Sequence, residues 1–212
     1  MTASAAAETV AERPRTLLIA CGALARELLD LIQREGWDHM ELSCLPAKWH
    51  NTPGKIPEAV RAKIRAARQT HNRIFVIYAD CGTGGALDRV LAEEGVERLP
   101  GPHCYATYMG QQAFTRMADG DPTAFYLTDF LVRHFDRLVI ESLGLDRHPE
   151  LAEMYFGNYT KVVYLAQRDD PALQAKARDA AERLGLAYEF HHAGYGELET
   201  FLHQAGARRR QP

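Results

Sequence analysis

The sequence predicts an α/β fold built on a single doubly wound, mainly parallel sheet with helices on both faces. Three observations predict it. Short apolar runs alternate with amphipathic stretches of ten or more residues, the signature of strands joined by crossover helices. The run "NRIFVIYAD" (72–80) is apolar throughout its middle, as a strand covered on both faces requires. A strand–helix–strand unit, "TKVVYLAQ", "DPALQAKARDAAERLG" and "LAYEFHHA", is written out between 160 and 193.

Each element follows from local chemistry. "RTLLIAC" (15–21) predicts the first strand, and "ALARELLDLIQREG" (23–36) an amphipathic helix closed by Gly36. "MELSCLPA" is a second, shorter strand and "WHNTPGKIP" a Pro- and Gly-bearing loop. "PEAVRAKIRAARQTH" then predicts a helix with Pro57 in its first turn. After the strand 72–80, Gly84 and Gly85 open the helix "ALDRVLAEEG". "VERLPG" reads as a short strand and "PHCYATYMGQQAFTRMADG" as a loop and helix. "TAFYLTD" is a strand, "FLVRHFDRLVIESLGL" one long helix, and "HPELAEMYFGNY" a helical connector. After the strand–helix–strand unit, "GELETFLHQAG" closes the chain as a helix. Residues 16–206 read as one domain, with 1–15 a disordered leader and 207–212 a basic tail.

Composition narrows the function classes. The 212 residues are 46% hydrophobic and 25% charged, with a formal net charge of −3. That balance is ordinary for a globular protein and offers no basic face for nucleic acid. No apolar segment approaches the ~20 residues that cross a bilayer, so no membrane partner is expected. The first residues lack a basic start followed by an apolar core, so they do not read as a secretory signal. A cytoplasmic location follows as an expectation. In a reducing compartment, four cysteines read as free thiols, ligands or catalysts before disulfides.

In an open parallel sheet, ligands bind beyond the carboxyl ends of the strands, where helix N-termini also point. Cys21 and Cys81 stand at two such corners, each followed by glycine (Gly22, Gly82), and Cys104 follows the next short strand. The three are expected on one rim, with thiol pKa values lowered by helix N-termini, and the two glycines are expected to let a cofactor approach the backbone. Cys44 lies inside a strand and reads as a packed core thiol. Three convergent thiolates with one open position suit a single Zn²⁺ ion or a [4Fe–4S] cluster; the cluster needs its ligand sulfurs farther apart, which sequence does not measure. His50, Asp80 and Asp129 follow strand ends and are the candidate acids and bases. Arg168, following the strand "TKVVYLA", is a candidate for binding an anionic group there, and Thr128 or Asp129 a candidate helix cap. "CGTGGALD" matches neither phosphate-binding glycine motif.

The set "LLIACGAL", "LPAKWHNTPGKI", "VIYADCG", "LPGPHCYATYMG", "YLTDF" and "FGNYTKVVYL" resembles an uncharacterised bacterial and archaeal family, a domain of unknown function. The resemblance runs from about Leu17 to the C-terminal helix. In the family pattern the positions of Cys21, His50, Cys81 and Cys104 carry the same residue types, that of Cys44 usually does not, and Trp49 stands where leucine is more usual. Members are often encoded near corrinoid-dependent methyltransferases. The resemblance therefore implies a one-carbon or methylamine setting and a corrinoid or methyltransferase partner, without implying an activity.

Two functions follow as expectations. One is a metal-thiolate enzyme acting on a small polar metabolite, by lyase, hydro-lyase or methyl-transfer chemistry. The other is a non-catalytic accessory protein that handles a metal or corrinoid for a methyltransferase. An enclosed rim favours the first, and a flat rim beside an apolar patch favours the second. Oligomeric state is left open.

Overall fold

A computed structural model describes residues 15–207; the expected leader and basic tail otherwise lie outside the described residues. Seven strands pair only in parallel: β1 (Thr16–Cys21), β2 (Met40–Leu45), β3 (Arg73–Ile77), β4 (Glu97–Arg98), β5 (Ala124–Thr128), β6 (Lys161–Ala166) and β7 (Ala187–His192). Helices α1 (Ala25–Arg34), α2 (Ile56–Ala67), α3 (Ala86–Glu94), α4 (Cys104–Met109), α5 (Gln111–Gly120), α6 (Asp129–Arg133), α7 (Leu151–Phe156), α8 (Pro171–Arg183) and α9 (Gly196–Ala207) connect and cover them.

The α/β class and the parallel pairing agree with the sequence, but the strands form two sheets, in the orders β2-β1-β3-β4 and β5-β6-β7. The break falls after β4, which is only two residues long. Its ladder ends before Pro100 and Pro102, which have no N–H to extend it. The chain then turns into α4 and α5, so β5 starts a new ladder.

The period-2 alternation of each central strand sorts side chains between two helical layers. Leu18 and Ala20 of β1 and Phe75 and Ile77 of β3 meet α1 and the returning α9, through Leu28, Leu31, Leu198 and Leu202. Leu17, Ile19 and Val76 meet α2 and α3 on the other face. In the second sheet, Val162, Tyr164 and Ala166 face α6 and α8, while Val163 and Leu165 face Ala106 of α4 and Phe114 of α5. Helices cover both faces of both sheets.

Two helical expectations change. The long helix over 130–145 is broken: α6 ends at His134 (φ −122°), and a π-helical turn follows at Asp136–Ile140. The wider winding puts Phe135, Val139 and Leu145 into one buried cluster. The loop "WHNTPGKIP" is wound into two 3-10 turns, Ala47–Asn51 and Pro53–Lys55. By contrast α8 follows its sequence signal closely, with Asp170 accepting the Ala172 and Leu173 N–H groups at 3.0 and 3.2 Å ahead of Pro171.

Candidate functional site

The carboxyl edges of the two sheets meet at a cavity of about 140 Å³. Cys21 ends β1, Cys81 follows β3, and Cys104 opens α4; all three line this cavity, with His50 from the turn after β2. The second sheet contributes Thr128 and, beyond it, Leu131 and Leu138. Residues far apart in the chain thus share one enclosure.

Local geometry fixes the two later cysteines. The N–H groups of Asp80 and Cys81 donate to the carbonyls of Gly101 and Pro102 at 3.0 and 2.9 Å. These bonds tie the loop after β3 to the loop that leads into Cys104. Cys81 has φ +48°, the sole left-handed non-glycine among the described residues, a conformation costly for a residue with a Cβ. His103 caps α4, its Nδ1 accepting the Ala106 N–H at 3.3 Å. The Nε2 nitrogen is therefore the protonated one, and burial keeps the ring's pKa below its usual range.

The expected lowering of the thiol pKa values is reversed. Burial pushes Cys104 up to about 12 and Cys81 up to about 11, and neighbouring sulfurs push both the same way. Burial also raises Cys21, against smaller opposing effects from the Ala23 N–H and the Tyr78 hydroxyl. Backbone donors at the start of α4 act on Cys104 without overcoming its desolvation. The sulfurs are also not bunched. Among the described residues, the one trio of His, Cys, Asp or Glu ligand atoms lying within 4.8 Å of one another is Glu35, Glu199 and His203. In that surface trio both glutamates are paired with Arg34.

Several expected site residues do not reach the cavity. Asp80 is a turn cap: its carboxylate accepts the Thr83 hydroxyl at 2.8 Å and the Gly85 and Gly84 N–H groups at 3.0 and 3.3 Å, which holds its pKa down. Asp129 is fully buried in a different network, accepting the Tyr164 hydroxyl at 2.7 Å, the Gln167 N–H at 3.0 Å and Arg133 at 3.2 Å. Both carboxylates are engaged in structural hydrogen bonds, and neither lines the cavity. Arg168 is half exposed and lies 3.7 Å from Asp30. Gly22 serves strand packing, since a Cβ there would lie 3.1 Å from the Leu45 carbonyl; Gly82, at φ +79°, serves the turn beside Pro53. Cys44 is exposed, not a core thiol. Thr128 caps α6, accepting the Leu131 N–H at 3.4 Å.

One residue escaped the sequence reading. Tyr78 lines the cavity and is 2% exposed, yet its hydroxyl makes no hydrogen bond of sound geometry among the described residues. It is directed at the Cys21 sulfur, and burial followed by that sulfur raises its pKa. The signal was present in "VIYADC": a polar-tipped side chain inside an apolar run, one residue past the end of β3.

No curated protein matches the chain. Among solved structures, an ornithine carbamoyltransferase from Pyrococcus furiosus is 12% identical, with 85% of this chain and 55% of that chain covered and a TM-score of 0.29. This chain thus spans little more than half of that enzyme, and the likeness is too slight to inform fold or activity. A family model matches residues 44–202, a span holding His50, Tyr78, Cys81 and Cys104 but beginning after Cys21. The chain belongs to that family, described as Protein of unknown function (DUF1638).

Proposed function

We propose that Cys21, Cys81 and Cys104 hold a [4Fe–4S] cluster at three irons, and that the protein is an enzyme acting on a small polar metabolite at the fourth. The observation that carries this reading is the convergence of three thiols, from three separate strand ends, on one enclosed cavity. Sulfur spacing favours the cluster over zinc. A single Zn²⁺ with bonds of about 2.3 Å draws its sulfurs to about 3.8 Å of one another, whereas these three are not all within 4.8 Å. Cavity size favours one compact centre: about 140 Å³ is close to the ~150 Å³ that encloses a benzene ring. A corrin ring does not fit such a space, which weighs against a corrinoid-carrying accessory role.

When bound, such a cluster supplies a Lewis-acidic iron for elimination or hydration. The chain's own residues bind, orient and protect. Leu24, Leu131 and Leu138 give the cavity an apolar wall. His50, exposed at its mouth, is the side chain placed to exchange a proton with substrate, now that Asp80 and Asp129 are otherwise engaged. The one-carbon setting and a methyltransferase partner rest on the family resemblance alone.

Anaerobic purification with iron, zinc and acid-labile sulfide analysis, alongside an absorption spectrum, tests the reading. Expected are close to four irons and four sulfides per chain and a broad visible band. Stoichiometric zinc without sulfide would replace the cluster with a single ion. Neither metal after anaerobic reconstitution would overturn the proposal.

A further inference from the structure

The second sheet ends on a strand whose outer edge carries none of the usual protection. β7 is last in the order β5-β6-β7, so among the described residues it has a strand neighbour on one side only. Its sequence, AYEFHH, holds no lysine or proline, and its register with β6 runs without a bulge; such devices keep most edge strands from pairing. Of the four large hydrophobic side chains left exposed among the described residues, Phe190 alone stands on a strand. Its ring meets Tyr164 at 5.9 Å within the chain.

The ladder fixes which groups this edge offers. The Ala187 N–H donates to the Thr160 carbonyl and the Ala193 N–H to the Ala166 carbonyl. Alternate residues of a parallel strand bond to the same neighbour, so Ala187, Glu189 and His191 turn their main-chain groups to β6. Those of Tyr188, Phe190 and His192 turn outward. A second copy related by a two-fold axis presents the same strand antiparallel, and outward residues must then face outward residues. Near the middle of the strand the axis can pass through Glu189, Phe190 or His191. At Glu189 it sets two carboxylates face to face, and at His191 two imidazoles. At Phe190 it sets Glu189 opposite the partner's His191, once on each side of the axis, and Phe190 opposite the partner's Phe190. Opposite charges and aromatic pairs stabilise an antiparallel pair, and like charges directly opposite destabilise it. His191 and Glu189 are 35% and 39% exposed, so both have surface left for such a contact.

We propose that a second copy of this chain docks along β7, two-fold about Phe190, joining two three-stranded sheets into one. The occupant is a second copy because one of the registers that the backbone permits makes the strand its own complement in charge and in shape.

Sedimentation velocity of the full chain over a range of concentrations tests this. Expected is a wild type whose mass rises to twice that of the chain. Phe190→Lys sets two ammonium groups across the axis and should raise the dissociation constant roughly tenfold or more. His192→Pro loses an N–H that points away from β6, so it should weaken the dimer while leaving the circular dichroism spectrum unchanged. Oxidation with copper phenanthroline reads the register, in a Cys44→Ala background that removes the exposed native thiol. Phe190→Cys should give a covalent dimer, because the Cα atoms of that pair stand about 5.5 Å apart, inside the roughly 4.4–6.8 Å that a disulfide spans. Glu189→Cys should not, since the two copies of that position lie about 8 Å apart along the diagonal. A chain that stays monomeric throughout, a dimer indifferent to Phe190→Lys and His192→Pro, or cross-linking by Glu189→Cys in place of Phe190→Cys would overturn the inference. None of these outcomes depends on the metal centre.

Discussion

Replacing Asp129 by asparagine separates a structural carboxylate from a catalytic one. The side chain is fully buried and accepts hydrogen bonds from the Tyr164 hydroxyl, the Gln167 N–H and Arg133. Its own N–H donates to Gln167 Oε1 at 2.7 Å, so this one residue ties the end of β5 to the end of β6. Asparagine keeps the volume but loses the charge and turns one acceptor into a donor facing other donors. Breaking a buried pair costs about 3–5 kcal/mol, because the surviving partner is left uncompensated. Arg133 is 13% exposed and sits 3.8 Å from Glu27, so it can relax partly and the lower value applies. At about 2–4 °C per kcal/mol for a chain of this length, the melting temperature should fall by roughly 6–12 °C, read by circular dichroism. Tyr164→Phe should give a smaller fall in the same direction. An Asp129→Asn protein that melts with the wild type would refute the reasoning and return Asp129 to the candidate bases.

The raised thiols predict slow alkylation: at pH 8 only about 0.1% of Cys81 and 0.01% of Cys104 are thiolate, given values of about 11 and 12. Iodoacetamide labelling of the metal-free protein, followed by mass spectrometry, should accelerate about tenfold per pH unit between 7 and 10; a plateau near pH 8.5 would contradict the burial. The same groups give a linkage with a definite sign. The folded chain keeps protons that the unfolded chain releases above the ordinary thiol pKa, so stability declines as pH rises from about 8.5. Gly196→Ala should cost more than about 3 kcal/mol in a urea melt, since a Cβ there would lie 2.1 Å from the Tyr108 carbonyl, at φ +48°. Gly194→Ala, at φ +64° with nothing near, should cost only about 1 kcal/mol. Cys81→Ala should abolish iron retention and Cys44→Ala should leave it intact; equal loss from both would break the assignment of ligands.

What the sequence conveyed, and what it hid, divides along the range of the interactions. The strand ends were legible because an apolar run stops where its neighbours stop: Cys21, Cys81 and Cys104 could be placed at corners from local pattern alone. The division into two sheets was not, because it turns on the two-residue length of β4, and ladder length depends on a partner strand. The π-helical turn at Asp136–Ile140 was hidden for a related reason. Its apolar positions satisfy a helical pattern, and only the cluster they join selects the wider winding. Asp80 and Asp129 follow strand ends as a general base would, but their roles are fixed by Gly85 and by Tyr164, partners that proximity in sequence does not rank. The thiol pKa values were misjudged in sign because the helix N-terminus is a local feature and desolvation is not. Gly22 was misread likewise: its need is the carbonyl of Leu45, on another strand.

The wall between Tyr78 and Cys81 shows why a ligand is the economical explanation for this cavity. Eleven described glycines adopt positive φ, and Cys81 does so without being one. Glycine would relieve a cost on the order of 1–3 kcal/mol for a residue held in the left-handed region. Three residues earlier, phenylalanine in place of Tyr78 would fill the same space and remove an unsatisfied hydroxyl worth about 1–3 kcal/mol. The Tyr78 ring packs in the core beside Val60 and Val76, and phenylalanine keeps that packing without the hydroxyl; the turn after β3 already has Gly82, Gly84 and Gly85. Two such penalties three positions apart in numbering, both facing one enclosure with Cys21 and Cys104, support the proposed reading of that enclosure as a binding site. A double replacement, Tyr78→Phe with Cys81→Gly, should accordingly give a metal-free protein at least as stable as the wild type and unable to retain iron. A marked loss of stability in that variant would mean that the two side chains serve the fold.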